Sequence, residues 1–153
     1  MIISFDLDNT LIPYSNEFEV IRPAFAWRLL GAESLRKGTV PLFSKLRDQG
    51  HSIWIYTTSY RSVASMRVTF RAAGLAPDRF INEHINQKLL KAHNCKASKH
   101  AGLFEIDLHI DDSEGVVMEG RSLGFQALRI DTEDQNWEEK VLTQVRLLMH
   151  KFH

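Results

Sequence analysis

The chain has 153 residues, about the commonest size for one domain with a real core, and its 44% hydrophobic and 25% charged residues are those of an ordinary globular protein. With 19 basic against 19 acidic side chains it carries no bulk electrostatic footprint for nucleic acid or an anionic membrane. Cys95 is the only cysteine, which excludes an internal disulfide framework and favours a reducing, cytoplasmic setting; no apolar run approaches the ~20 residues that span a bilayer, and the N-terminus lacks the layout of a signal peptide.

The first element, over 1–6, reads as a buried strand that ends in Asp6-Leu7-Asp8-Asn9-Thr10. A strand alternates faces with period two, so Asp6 and Asp8 start on the same side. They come where the strand runs out, at the edge where ligands of open α/β sheets collect. Two like charges so close are costly unless a cation lies between them or one keeps its proton. Asp also opens turns by accepting local backbone hydrogen bonds, so the pair alone fits a plain loop as well as a metal-assisted phosphate site.

The segment 12–37 follows, with Pro13, Tyr14, Phe18, Phe25 and Trp27. It is longer than ordinary connections, which favours a functional flap or lid, partly helical, over a simple loop. Its aromatics can line a pocket or cover the core. A helix is expected over 39–50, with Thr39 as N-cap, Pro41 in the first turn and Gly50 as the stop. It feeds a strand over 52–57 that ends in Thr57-Thr58-Ser59, hydroxyls that can donate to a phosphoryl oxygen or cap the next helix.

That helix is expected over 62–73, from the spacing of Val63, Met66, Phe70 and Ala73 ahead of Gly74; Arg67 and Arg71 lie on its solvated face. A short strand is expected over 79–82. Cys95, between Asn94 and Lys96 in a polar stretch, is not expected to be a nucleophile. Lys99 can neutralise a phosphate and its attacking group, with Lys88 and Lys96 competing for the role.

A strand over 107–111 delivers adjacent carboxylates, Asp111 and Asp112, to the same sheet edge. Asp112 can also serve as a helix N-cap. Mg²⁺ prefers oxygen ligands and takes one or two carboxylates with waters and substrate phosphate, which Asp6 and one of this pair can supply. His84, His93, His100 and His109 show no compact pairing with Cys95, so zinc is not expected. A strand over 125–130 and a helix over 136–150 close the chain; Glu138 and Glu139 suit that helix's first turn, and Val141, Val145, Leu148 and Phe152 form its core stripe.

Strand and helix alternate, so the expected class is α/β: three layers, with a mostly parallel sheet covered on both faces. Receiver domains of two-component signalling also use an acidic pair, a phosphorylatable Asp, a hydroxyl and a Lys, but place the acidic pair first. Here the Asp-x-Asp turn leads, then hydroxyls, Lys99 and Asp111-Asp112.

That order resembles the haloacid dehalogenase (HAD)-like superfamily of phosphohydrolases, through four short motifs that cover most of the chain. Asp6-Leu7-Asp8-Asn9-Thr10-Leu11 is similar to the first motif, Asp-x-Asp-x-Thr with hydrophobic flanks. Thr57 matches the second, and Tyr56-Thr57-Thr58-Ser59 is also similar to phosphatases acting on the RNA polymerase C-terminal domain. Lys99 and Asp111-Asp112 match the third and fourth. The resemblance implies one Rossmann-like domain over 1–153 with the 12–37 flap. Neither gap between motifs has room for a large cap, as in the capless subgroup.

Carried to these positions, the family chemistry implies a Mg²⁺-dependent phosphatase acting on a phosphate monoester. Asp6 would be nucleophile and metal ligand, and Asp8 general acid/base and, through its carbonyl, metal ligand. Asp111 or Asp112 would complete the metal site; Thr57, Thr58 and Lys99 would hold the phosphoryl oxygens. An open site, closed only by the flap or by another subunit of a homo-oligomer, admits small or macromolecular phosphorylated substrates. The competing expectations are a non-catalytic phosphate-binding regulatory domain, which has no need of Asp8, and a nucleic-acid end phosphatase, which the neutral charge disfavours.

Overall fold

The computed structural model describes residues 1–151. Its centre is strand β1 (Ile2–Phe5), flanked by β4 (Ser52–Tyr56) and β6 (Leu108–Asp111), with β5 (Arg79–Ile81) and β7 (Ala127–Arg129) outside them. All four pairings are parallel, in the order β5-β4-β1-β6-β7. The chain winds outward from β1 in one direction and returns to wind out in the other, so the switch point lies between β1 and β6. In doubly wound sheets that crevice is the place for a ligand.

The expected α/β class is therefore present, and helices cover both sheet faces. Alternation along the strands separates two cores. On one side Ile3, Phe5, Ile53, Ile55, Leu108 and Ile110 pack with α2 (Thr39–Asp48), α3 (Val63–Ala72) and α6 (Trp137–Lys151). On the other, Tyr56 and Ile81 pack with Ala101 and Phe104 of a short 3₁₀ turn, Val116 of α5 (Glu114–Leu123) and Phe125. Ile85 and Leu89 of α4 (Glu83–Ala92) border this smaller core. It shares its sheet face with buried polar groups, Ser4 and His109, whose neighbours in sequence, Phe5 and Ile110, face the larger core.

Local chemistry sets the helix ends with three differences from expectation. Gly38, at φ +95°, holds the N-cap of α2; Thr39 is the first helical residue, its hydroxyl donating to the Arg36 carbonyl. The left-handed backbone there suits glycine and would strain threonine. Thr57, Thr58 and Ser59 do not cap α3: Ser62 does, accepting from the Ser65 amide. Asp112 does not cap α5, whose N-cap is Ser113. Arg67 and Arg71 are exposed as expected. Val141, Val145 and Leu148 are buried on α6, whereas Phe152 of that stripe lies outside the described residues.

The 12–37 segment carries a two-stranded antiparallel ribbon, β2 (Val20–Ile21) with β3 (Leu35–Arg36), and the single-turn helix α1 (Phe25–Leu29) between them. Its aromatics divide. Tyr14 reaches the sheet edge described below, Phe18 lies 4.4 Å from the Arg36 guanidinium, and Phe25 faces solvent. No helix among the described residues is long and apolar enough to cross a membrane.

Candidate active site

After β1 the chain makes a tight loop. The Leu7 carbonyl accepts from the amides of Thr10, Leu11 and Ile12, and Asn9 sits at φ +57°. Asn tolerates that left-handed backbone better than most residues, and burial of Leu7 and Leu11 anchors the loop. Asp6 and Asp8 thus leave the sheet at the switch point, where β6 ends in Asp111 and Asp112 follows.

Asp6, Asp111 and Asp112 each offer a carboxylate oxygen within 4.8 Å of the others. Among the described residues this is the group of potential metal ligands that converges, and no histidine or Cys95 belongs to it. Lys99 is the cation among them: its Nζ lies 2.7 Å from Asp6 Oδ1 and 2.6 Å from Asp111 Oδ2. Only 2% of its side chain is exposed. Lys88 and Lys96 are exposed, so burial decides between the three candidates.

The loop carrying Lys99 is fastened from several sides. Glu119 accepts from the Ser98 amide and hydroxyl and from the Lys99 amide. The Asn86 amide donates to the Ser98 carbonyl, and the Tyr56 hydroxyl, which donates to Asn86, accepts from the His100 amide. This frame fixes the backbone of Lys99 while Asp6 and Asp111 fix its ammonium, which reduces the entropy lost when it binds an anion.

The electrostatics follow from two buried carboxylates, Asp6 and Asp111, paired with one ammonium, and a third, half-buried carboxylate, Asp112, beside them. Burial pushes the Asp6 carboxyl up to about 7, against the pull of Lys99 and with Asp111 and Asp112 adding to the rise. Burial also works against charge on Asp111, yet Lys99 and the His109 hydrogen bond hold its carboxyl well below the usual carboxylate range. Lys99 stays charged: its burial is outweighed by Asp6 and Asp111. Burial, then the Lys99 charge, pushes His109 down to about 4. The neutral imidazole stands 3.0 Å from Asp111 Oδ2 through Nε2 and 2.8 Å from the Ser4 hydroxyl through Nδ1. A hydroxyl can donate or accept, so Ser4 accommodates either tautomer.

A cavity of about 270 Å³ opens on this cluster, lined by Asp6, Asp8, Thr58, Lys99, Asp111 and Asp112, with Tyr14 at its rim. Thr57 is not among its lining: it is buried, its amide donating to the Ile81 carbonyl and its hydroxyl accepting from the Ser59 amide. Thr57 still pairs with the β5 edge through its own amide, whereas Thr58 lies past the end of β4 in an exposed bend. Thr10 is buried beneath, its hydroxyl 3.4 Å from Asp112 Oδ1. A larger hollow of about 870 Å³ beside Arg36, Trp137 and Glu138 brings together none of these groups.

Asp8 stands apart from the three converging acids and pairs with Arg61, whose terminal nitrogen is 3.0 Å from Asp8 Oδ1. Sequence reasoning missed Arg61 and its second partner Glu33, and it placed His109 only among zinc candidates. No periodicity marks Arg61. Its one signal is a position four residues beyond Thr57, on the loop leaving the same sheet edge.

No family model matches the chain, and no curated protein matches it. Among solved structures, it is similar to that of a protein described as a predicted HAD-like family hydrolase from Porphyromonas gingivalis. That likeness has 16% sequence identity and a TM-score of 0.47, and covers 95% of this chain and 97% of that one.

Proposed function

We propose that the protein is a Mg²⁺-dependent phosphohydrolase of the HAD-like type, hydrolysing a phosphate monoester through a phosphorylated Asp6. The observation that carries this reading is the convergence of Asp6, Asp111 and Asp112 around buried Lys99 at the switch point, with Asp8 at the mouth.

The donor set fits the cation. All three candidate ligands are carboxylate oxygens, the hard donors that Mg²⁺ takes, and they outnumber the one ammonium beside them. Asp6, Asp111 and Asp112, with the Asp8 carbonyl, would hold the ion. Bound there it would favour ionised Asp6 and screen the phosphoryl charge.

The remaining chemistry belongs to the chain. A carboxylate oxygen of Asp6 forms a bond to phosphorus as the ester P–O bond breaks, dividing one hard displacement into two. Asp8 gives its proton to the departing oxygen, then takes one from the water that attacks phosphorus and frees Asp6. Lys99 faces the phosphoryl oxygens with its charge held in place, where most catalysis of this reaction resides. Thr58 lines the cavity and takes the phosphate-binding role ahead of Thr57.

The test is phosphate release from an aryl phosphate and a panel of nucleotide, sugar and peptide phosphates. Release that needs Mg²⁺ and stops with EDTA and with Asp6→Asn is expected. Turnover that survives both sinks the reading, and tight capture without turnover replaces it with a phosphate-binding module.

A further inference from the structure

The Arg61 guanidinium has two kinds of partner. Its Nε and one terminal nitrogen fork onto both Glu33 carboxylate oxygens at 2.7 and 2.9 Å. The other terminal nitrogen reaches Asp8, at 3.0 Å from Oδ1 and 3.1 Å from Oδ2, and the Ser59 hydroxyl at 2.9 Å. The backbone of Arg61 is itself fixed: its amide donates to Ser59 Oγ, and its carbonyl accepts from Asn82, the N-cap of α4.

Glu33 belongs to the 12–37 flap, and its amide donates to the Thr69 hydroxyl of α3. The three side chains of the chain Glu33–Arg61–Asp8 are between 22% and 34% exposed. A bidentate fork at that depth has both the geometry and the partial desolvation that distinguish a useful ion pair from a solvated one.

We propose that Arg61 is a positioning residue that holds the Asp8 carboxyl group at the mouth of the site and, through Glu33, fastens the flap beside it. It donates to the carbonyl oxygen of that carboxyl group when Asp8 is the acid and to the carboxylate when Asp8 is the base. The role of Asp8 in this statement rests on the phosphohydrolase reading; the fastening of the flap does not. Arg61 offers in-plane donors along two edges of one rigid group, so one residue spans two carboxylates that a lysine could not both engage. A flap that swings away takes Glu33 with it, and Arg61 is then free to follow, loosening Asp8. Displacement of a proton-transfer group by about 1 Å can cost on the order of 10²-fold in rate.

Two measurements test this, both with Glu33→Gln and Arg61→Gln. Hydrogen exchange of the metal-free protein reads the flap: either variant is expected to speed exchange of amides in 13–34, and the double variant to add nothing further. Glu33→Gln removes one charge at a position about a third exposed and guards against a folding defect in the arginine variant. Unchanged flap exchange in both overturns the fastening.

Kinetics read Asp8. Arg61→Gln is expected to lower kcat roughly 10- to 100-fold on an alkyl phosphate, with KM little changed. The loss should be much smaller for phosphoenzyme formation from p-nitrophenyl phosphate, whose leaving group departs without a proton. In the Asp8→Asn background the substitution should cost little. A raised KM at unchanged kcat, or losses that multiply with Asp8→Asn, overturns the positioning role. Faster flap exchange in the variants of a wild type that turns over no ester refutes the phosphatase reading while upholding the fastening.

Discussion

Asp6→Asn should make the metal-free fold more stable, and only above acid pH. The carboxyl that ordinarily titrates at 3.8 is pushed up to about 7 by burial. At about 1.4 kcal/mol for each tenfold in proton affinity, that step amounts to roughly 4 kcal/mol. A group that binds its proton more tightly folded than unfolded costs stability as pH rises. The cost is absent below about pH 4, grows between, and is complete above about 7. Asparagine has the same shape and can still accept from Lys99, but has no charge to desolvate.

In EDTA at pH 8 the ceiling is about 4 kcal/mol. For a chain of this length each kcal/mol moves Tm by about 2–4 °C, and an amide retains part of the polar burial cost, so a rise of roughly 5–10 °C is expected. At pH 4.5 the two proteins should melt within about 2 °C of each other, since the wild-type carboxyl is then mostly protonated when folded. The wild-type pH profile alone is not diagnostic. His109, pushed down to about 4, contributes stability that is present above about 6.5 and lost as pH falls towards 4, which opposes Asp6 in the same window. The difference between wild type and variant isolates Asp6. An equal Tm difference at the two pH values, or a fall at pH 8, refutes the account of a carboxylate held charged at a cost.

The same linkage predicts that Mg²⁺ raises the wild-type Tm more at pH 8 than at pH 5, because the ion competes with a proton at Asp6; a pH-independent increment in differential scanning fluorimetry contradicts it. Asp8→Ala should lower turnover of an alkyl phosphate by about 10²–10⁴-fold, the usual worth of general acid/base assistance, read as kcat in steady state. Gly120→Ala tests the packing of α5 beside the site: an added Cβ would lie 2.8 Å from the Phe125 carbonyl oxygen. Overpacking of that kind costs about 1–3 kcal/mol, so a lower urea midpoint at unchanged m-value is expected.

The α/β class and the position of the acids were legible in the chain because both are local. Alternating apolar runs mark strands, and residues immediately after a strand cannot be far from its end, so Asp6, Asp8, Asp111 and Asp112 had to reach one sheet edge once the strands were parallel neighbours. Helix stops at Gly50 and Gly74 were local for the same reason, both glycines taking positive φ. The cap at Gly38 was not, since one residue of slippage leaves the hydrophobic pattern of α2 almost unchanged.

Other features depended on which elements pack together. Lys99 differs from Lys88 and Lys96 in burial and in its reach to Asp6, 93 positions away in the chain. Thr58 rather than Thr57 lines the cavity because Thr57 is buried with its hydroxyl taken by the Ser59 amide, while Thr58 stands exposed beyond the end of β4. Glu33, Arg61 and Asp8 come from a flap and two loops separated in sequence by 28 and 53 positions, and no spacing rule connects such residues. The sequence by itself determined a parallel sheet with acids at its carboxyl edge; the tertiary structure decided which lysine sits among them and what holds Asp8, because those choices are made by burial and by contact between distant segments.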